Sequence, residues 1–252
     1  MAKSSFLIEW YPQSFGCFHI GQSPNVPYRH SMSDRVLIVM DDSFELSSVA
    51  SALKLHGVNV VGEVAKGSSA IAVQNTLHPN ILLIDMHYSK ENSIEISQEL
   101  RTKDPEIGIV ILVPCTDLRL LGQVHADIPN GSMLVLKNSV TSIASLCDVL
   151  SKSRMFQKGS SPVWINGNLE LSSKVSESMM SKLTNIQIET LRLVADGLTN
   201  SEIGRIRFVS EKAVEQIVSR ISQVLNVQPD RTKNMRVQLV RQYFKWIGAP
   251  IQ

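Results

Sequence analysis

Residues 80–86, NILLIDM, form an apolar run that closes on an aspartate. Nothing polar interrupts Ile81–Ile84, so the strand it predicts must be covered on both faces, as in a parallel sheet. Upstream, VLIVM (36–40) has the same character and leads into Asp41 and Asp42. Downstream, GIVILV (108–113) and SMLVLK (132–137) repeat it, and the last ends in Lys137. VNVVGEVA (58–65) reads as a further strand. Helical patterns separate these runs: SFELSSVASALKLHG, stopped by Gly57, then SSAIAVQNTL (68–77), ENSIEISQELRTK (91–103) and SVTSIASLCDVLSKS (139–153). Residues 117–127 are expected to be helical as well. Five strand–helix alternations predict a doubly wound α/β domain.

The rest of the chain is organised differently. From Leu183 onward the pattern is all-helical, with Thr184/Gln187 and Thr199/Glu202 as capping boxes and Ser210 as a further N-cap. Residues 154–182 are rich in Ser, Lys and Gly and read as a linker. Residues 1–33 show no period and read as an N-terminal extension. The expected division is therefore 1–33, an α/β domain at 34–153, a linker at 154–182 and a helical domain at 183–252. Charge divides the same way. Residues 34–151 hold 8 basic against 14 acidic residues, whereas 183–252 hold 10 against 6. A basic second half suits nucleic acid.

Composition excludes several classes. Of the 252 residues, 43% are hydrophobic and 19% charged, the range of a globular chain and not of a disordered one. No apolar run approaches the ~20 residues of a membrane-spanning helix. The start lacks the basic and apolar regions of a secretory signal. Three cysteines without a CxxC pattern exclude a disulfide framework and a zinc ribbon. A cytoplasmic chain is expected. The six histidines have no ligand spacing, and no phosphate-binding glycine loop or nucleophile elbow occurs.

In a doubly wound sheet, functional residues gather beyond the carboxyl ends of the strands. Asp41 and Asp42 end the first strand there, Asp85 the third and Lys137 the fifth. Singly, an aspartate after a strand is commonly a helix cap and a lysine is solvated. Together, three converging carboxylates repel one another unless a cation is present, and Mg²⁺ suits oxygen ligands. VLIVMDDS, LLIDMH and LVLKNS resemble, in order and spacing, the motifs of two-component receiver domains. The resemblance covers about 34–151 and implies a flavodoxin-like (βα)5 fold. It also implies phosphorylation of Asp85 by a sensor histidine kinase. Mg²⁺ would be held by Asp41, Asp42, Asp85 and the His87 backbone carbonyl, and Lys137 would contact the phosphoryl group. The family carries Thr or Ser where this chain has Val113, so the switch hydroxyl is missing. Ser89 and Ser93 stand in for its Pro and Gly.

Residues 183–247 resemble the LuxR-type (NarL/FixJ) helix-turn-helix. Leu183-Thr184, Glu189, Gly197-Leu198, Glu202-Ile203, Val209-Ser210, Lys212, Val214 and Val218 carry the match. In its recognition helix (211–225), Val214, Ile217, Val218, Ile221 and Val224 make one apolar stripe. The opposite face offers Lys212, Glu215, Gln216, Ser219, Arg220 and Gln223 to DNA, with Lys233 beyond it. Glu215 replaces a common Lys. Phe208 stands where the turn usually has Gly, and Arg207 where it has Leu, so a remodelled turn is expected.

The reading is a DNA-binding transcriptional regulator of a two-component system, acting as a homodimer, and not a metabolic enzyme. Val113 motivates one alternative, a phosphorylation-independent regulator whose receiver serves dimerisation or ligand sensing. Glu215 and Phe208 motivate another, an antagonist that pairs with a second regulator and does not bind DNA.

Overall fold

The computed structural model describes residues 34–86, 93–156, 159–166, 169–170, 182–227 and 231–248. The N-terminal extension, His87 and Ser89 lie outside the described residues. Strands β1 (Val36–Val39), β2 (Val60–Val64), β3 (Ile81–Asp85), β4 (Gly108–Val113) and β5 (Ser132–Leu136) are all parallel and lie in the order β2-β1-β3-β4-β5. This is the doubly wound sheet expected from the apolar runs. Every residue of β1, β3 and β4 is buried.

The strands divide their side chains between two cores by strict alternation. Leu37, Val39, Leu82, Ile84, Ile109, Ile111 and Val113 face one cluster, with Ala70 of α2 (Gly67–Leu77) and Ile94 and Leu100 of α3 (Ser93–Lys103). Val36, Ile38, Ile81, Leu83, Val110 and Leu112 face the other. There they meet Leu46, Ala50 and Leu53 of α1 (Ser43–Leu55) and Leu146 and Leu150 of α4 (Ile143–Met155).

Two segments of the α/β half and its linker depart from expectation. Residues 117–127 do not form an α-helix. They make short 3₁₀ turns at Leu118–Leu121 and His125–Asp127. Gly122 adopts φ +75° and ends the first turn, and Leu118, Leu120 and Leu121 are all buried. Three apolar residues in four do not make the one-sided stripe of a surface helix. The second departure falls in the stretch expected to be linker. Residues Val163–Asn166 form β6, parallel to β5, and Leu169–Glu170 form β7, antiparallel to β6.

Among the described residues, the C-terminal half holds four helices: α5 (Asn185–Ala195), α6 (Asn200–Arg207), α7 (Glu211–Val224) and α8 (Met235–Trp246). Thr184 and Gln187 complete a capping box on α5. Thr199 caps α6 through Glu202 N–H, but the Glu202 carboxylate turns to Arg205 instead of closing the box. Ser210 and Asn234 cap α7 and α8.

These helices pack onto the 3₁₀ segment. Leu118, Leu120 and Leu121 share one apolar cluster with Leu183, Ile188, Leu191, Leu239 and Tyr243. Tyr243 is fully buried and donates its hydroxyl to the Leu120 carbonyl at 2.7 Å. Arg119 bonds the Leu183 carbonyl and the Asn185 side chain, and is itself held by Asp117. The Arg192 guanidinium lies where a Cβ on Gly122 would stand. Through Leu239 and Tyr243, α8 thus packs against the α/β half. Replacing Tyr243 with Phe leaves the Leu120 carbonyl without this buried donor. Urea unfolding should show a loss of about 1–2 kcal/mol, with little change in m.

Candidate functional site

Asp85 is the last residue of β3 and sits among buried strands, with its side chain only 1% exposed. A carboxylate in such a place needs a paired charge. Lys137, the first residue after β5, supplies it. Its Nζ lies 3.0 Å from Asp85 Oδ2. The same ammonium lies 2.8 Å from Glu45 Oε1 and 3.0 Å from Glu45 Oε2. Burial by itself would lower the Lys137 pKa, but Asp85 and Glu45 outweigh it and hold the pKa above its ordinary value. The lysine is therefore a fixed cation at neutral pH. Ser93 Oγ, at the start of α3, donates to the Asp85 backbone carbonyl at 2.8 Å.

Asp42 acts as the N-cap of α1 and accepts from Glu45 N–H at 2.8 Å. Asp41 and Asp42 are both exposed, unlike Asp85. Among the described residues, no three His, Cys, Asp or Glu side chains are gathered as a metal-holding group. The structure thus brings Asp85 and Lys137 together but does not draw the three aspartates into one cage. Val113 is fully buried in the apolar cluster that includes Ile84 and Met86. Thr116 lines a cavity of about 170 Å³ with Pro114, Asn138 and Trp246. Cys115 borders the same cavity; burial pushes its thiol to about 12, which marks it as a packing residue.

In the helical half, Val214, Val218 and Ile221 of α7 are buried, while Lys212, Glu215, Gln216, Ser219, Arg220 and Gln223 are exposed. Lys233 is exposed too. The polar face is thus open to solvent. Arg236 bonds Asn200 Oδ1 and the Leu198 carbonyl, tying α8 to the start of α6. The turn before α7 is not remodelled. Phe208 takes the left-handed conformation directly (φ 56°, ψ 40°) with its side chain almost wholly in solvent. Val209 N–H closes on the Gly204 carbonyl, and a Cβ on Gly204 would lie only 2.7 Å from the Val209 oxygen. Arg207 occupies its apolar position with polar partners: the Ile186 carbonyl, Thr190 Oγ1 and Glu189.

A strand-end acid–lysine pair on a doubly wound sheet, joined to a helix-turn-helix, matches two known domain families. The response regulator receiver domain matches residues 36–124, and the luxR family of bacterial regulatory proteins matches 181–237. The chain belongs to the response regulators that carry a LuxR-family domain. The response regulator protein VraR of Staphylococcus epidermidis is 28% identical over 204 residues, covering 80% of this chain and 94% of that one. The DNA-binding transcriptional activator EvgA of Escherichia coli is 22% identical over 189 residues, covering 75% and 90%. Among solved structures, RcsB of Salmonella enterica serovar Typhimurium, bound to promoter rprA, is 19% identical with a TM-score of 0.44, covering 84% and 98%.

Sequence reasoning about this response regulator missed Glu45. The one available signal was an acidic residue in the first turn of a helix that begins at the Asp pair. Its partner lies 92 residues away, and no local pattern reports that distance. The Lys137 contacts carry a pH signature. A raised lysine pKa stabilises the fold fully below the unfolded value of about 10.4, and the contribution is lost as pH rises through the folded pKa. Urea unfolding should therefore show the wild type more stable than Lys137→Met from pH 7 to about 10. The gap should narrow above that.

Proposed function

We propose that this response regulator accepts a phosphoryl group on Asp85 from a sensor histidine kinase and binds DNA through the exposed face of α7. The observation that carries the first part is the buried Asp85 carboxylate 3.0 Å from the Lys137 ammonium, where parallel strands end. In transfer, an Asp85 oxygen bonds to phosphorus as the donor's phosphorus–nitrogen bond breaks. Lys137 neutralises charge on the phosphoryl oxygens. The donor set suits Mg²⁺ in kind, since Asp41, Asp42, Asp85 and the His87 carbonyl offer hard oxygens. When bound, the ion supplies further positive charge at the phosphoryl group. The relatives are regulators and not enzymes in the usual sense. The chemistry proposed here is limited to gaining and losing this phosphoryl group.

For DNA, Gln216 and Gln223 are suited to adenine edges, while Lys212, Arg220 and Lys233 are suited to guanine or phosphate. Ser219 is a further polar contact, and Glu215 is suited to accept from a cytosine amine. A homodimer on two half-sites follows the usual geometry of such domains. Among the described residues, no helix is long and apolar enough to cross a membrane. A DNA target is consistent with a cytoplasmic protein. One observation favours a second reading: Val113 is buried and apolar where the switch hydroxyl is expected. A receiver without that donor can regulate without a phosphorylation-driven switch.

Intact mass after incubation with phosphoramidate in Mg²⁺ buffer should rise by one phosphoryl group in wild type and stay unchanged in Asp85→Asn. Labelling that persists in the variant would reject Asp85 as the acceptor. Labelling with no change in DNA affinity would favour the second reading. Arg220→Ala should weaken binding to a preferred DNA site by about tenfold, within the 1–3 kcal/mol of a good base or phosphate contact. Fluorescence anisotropy at fixed salt measures it, and an unchanged affinity would place the DNA surface elsewhere.

A further inference from the structure

The Lys137 ammonium has two carboxylate partners, and only one of them belongs to the acceptor motif. Glu45 puts both oxygens on Nζ, at 2.8 and 3.0 Å, against a single Asp85 oxygen at 3.0 Å. Its position is built from the backbone outward. Asp42 caps α1 by accepting from Glu45 N–H, which fixes the first turn. A glutamate three residues past an N-cap often folds back onto the cap. Here the carboxylate crosses to the residue after β5 instead. The three groups are partly or fully shielded, with side-chain exposures of 32% for Glu45, 27% for Lys137 and 1% for Asp85. Two negative groups thus share one positive group in a restricted space.

We propose that Glu45 is a positioning residue that holds Lys137 in the resting state and competes with the phosphoryl group for it. The inference rests on Asp85 being the acceptor. An incoming phosphoryl group is itself anionic. It meets a lysine already engaged by Glu45, and a second carboxylate close by. To serve the phosphoryl oxygens, the ammonium must give up its Glu45 contacts. Glu45 therefore slows phosphorylation and disfavours the phosphorylated state. Removing its charge while keeping its shape frees Lys137 for the phosphoryl group. Glu45 acts through its direct contact with the Lys137 ammonium.

The test uses the full chain with phosphoramidate as donor in Mg²⁺ buffer, followed by intact mass over time. In its N-protonated form the donor passes its phosphoryl group to an Asp85 oxygen, and ammonia leaves with the electron pair of the broken bond. Glu45→Gln should label about fivefold faster than wild type, the size of one partly screened charge contact. Glu45→Asp keeps the charge and should stay near the wild-type rate. In a Lys137→Met background, the gain from Glu45→Gln should vanish, since no lysine remains to be released; a simple loss of structure would not give that pattern. Equal rates for wild type and Glu45→Gln, both abolished by Asp85→Asn, would overturn this inference alone. Absence of label in every chain, or label surviving in Asp85→Asn, would overturn the acceptor assignment and this inference with it. A gain that persists without Lys137 would also overturn it, by showing that Glu45 does not act through the lysine.

Discussion

A carboxylate closed off from water at the end of a parallel strand is the constraint on which this structure turns. Asp85 has little room to be neutralised by solvent, so the chain must supply a cation. Lys137 can reach it only if β5 ends beside β4 in the right register, because β4 separates β5 from β3. The parallel order is thus tied to the chemistry as well as to the apolar runs. A slip of one residue in β5 would turn Lys137 to the other face. The Glu45 contact extends the same requirement to α1, so three separate βα units meet at one ammonium.

The second half depends on a different substitution of structure. A region with helical expectations collapses into 3₁₀ turns, and the leucines it exposes by doing so become the seat for α5 and α8. Polar contacts then fix the seat: Tyr243 to the Leu120 carbonyl, and Arg119 to Leu183 and Asn185. The polar face of α7 takes no part in this packing and stays open. The surface that docks on the α/β half and the exposed polar face of α7 are therefore different faces of the helical half.

Much of this was legible in the sequence. Uninterrupted runs such as ILLI at 81–84 carry a strong signal, because short apolar runs rich in Ile and Val, repeated between helical patterns, suit strands covered on both faces. The strand-end positions of Asp85 and Lys137 followed from the same runs. The α7 stripe was equally plain from its spacing. The 3₁₀ segment was not, since the form of residues 117–127 is decided by Gly122 and by the helices that bury Leu118, Leu120 and Leu121. The strand at 163–166 was hidden because VWIN is short and set among Ser and Gly. Arg207 looked like a defect in an apolar position; its remedy lies at Thr190, Glu189 and the Ile186 carbonyl, a neighbouring helix that local pattern cannot consult.

The two borders of the sheet decide whether a strand from another chain can be added to it. At one border β2 carries exposed Glu63, paired with Lys54. At the other, β5 is already hydrogen-bonded to β6, and the border passes to the two-residue β7, which runs the opposite way. A charged strand and a very short one are both poor templates for adding a further strand. Among the described residues, both borders therefore discourage strand-by-strand growth into fibrous aggregates.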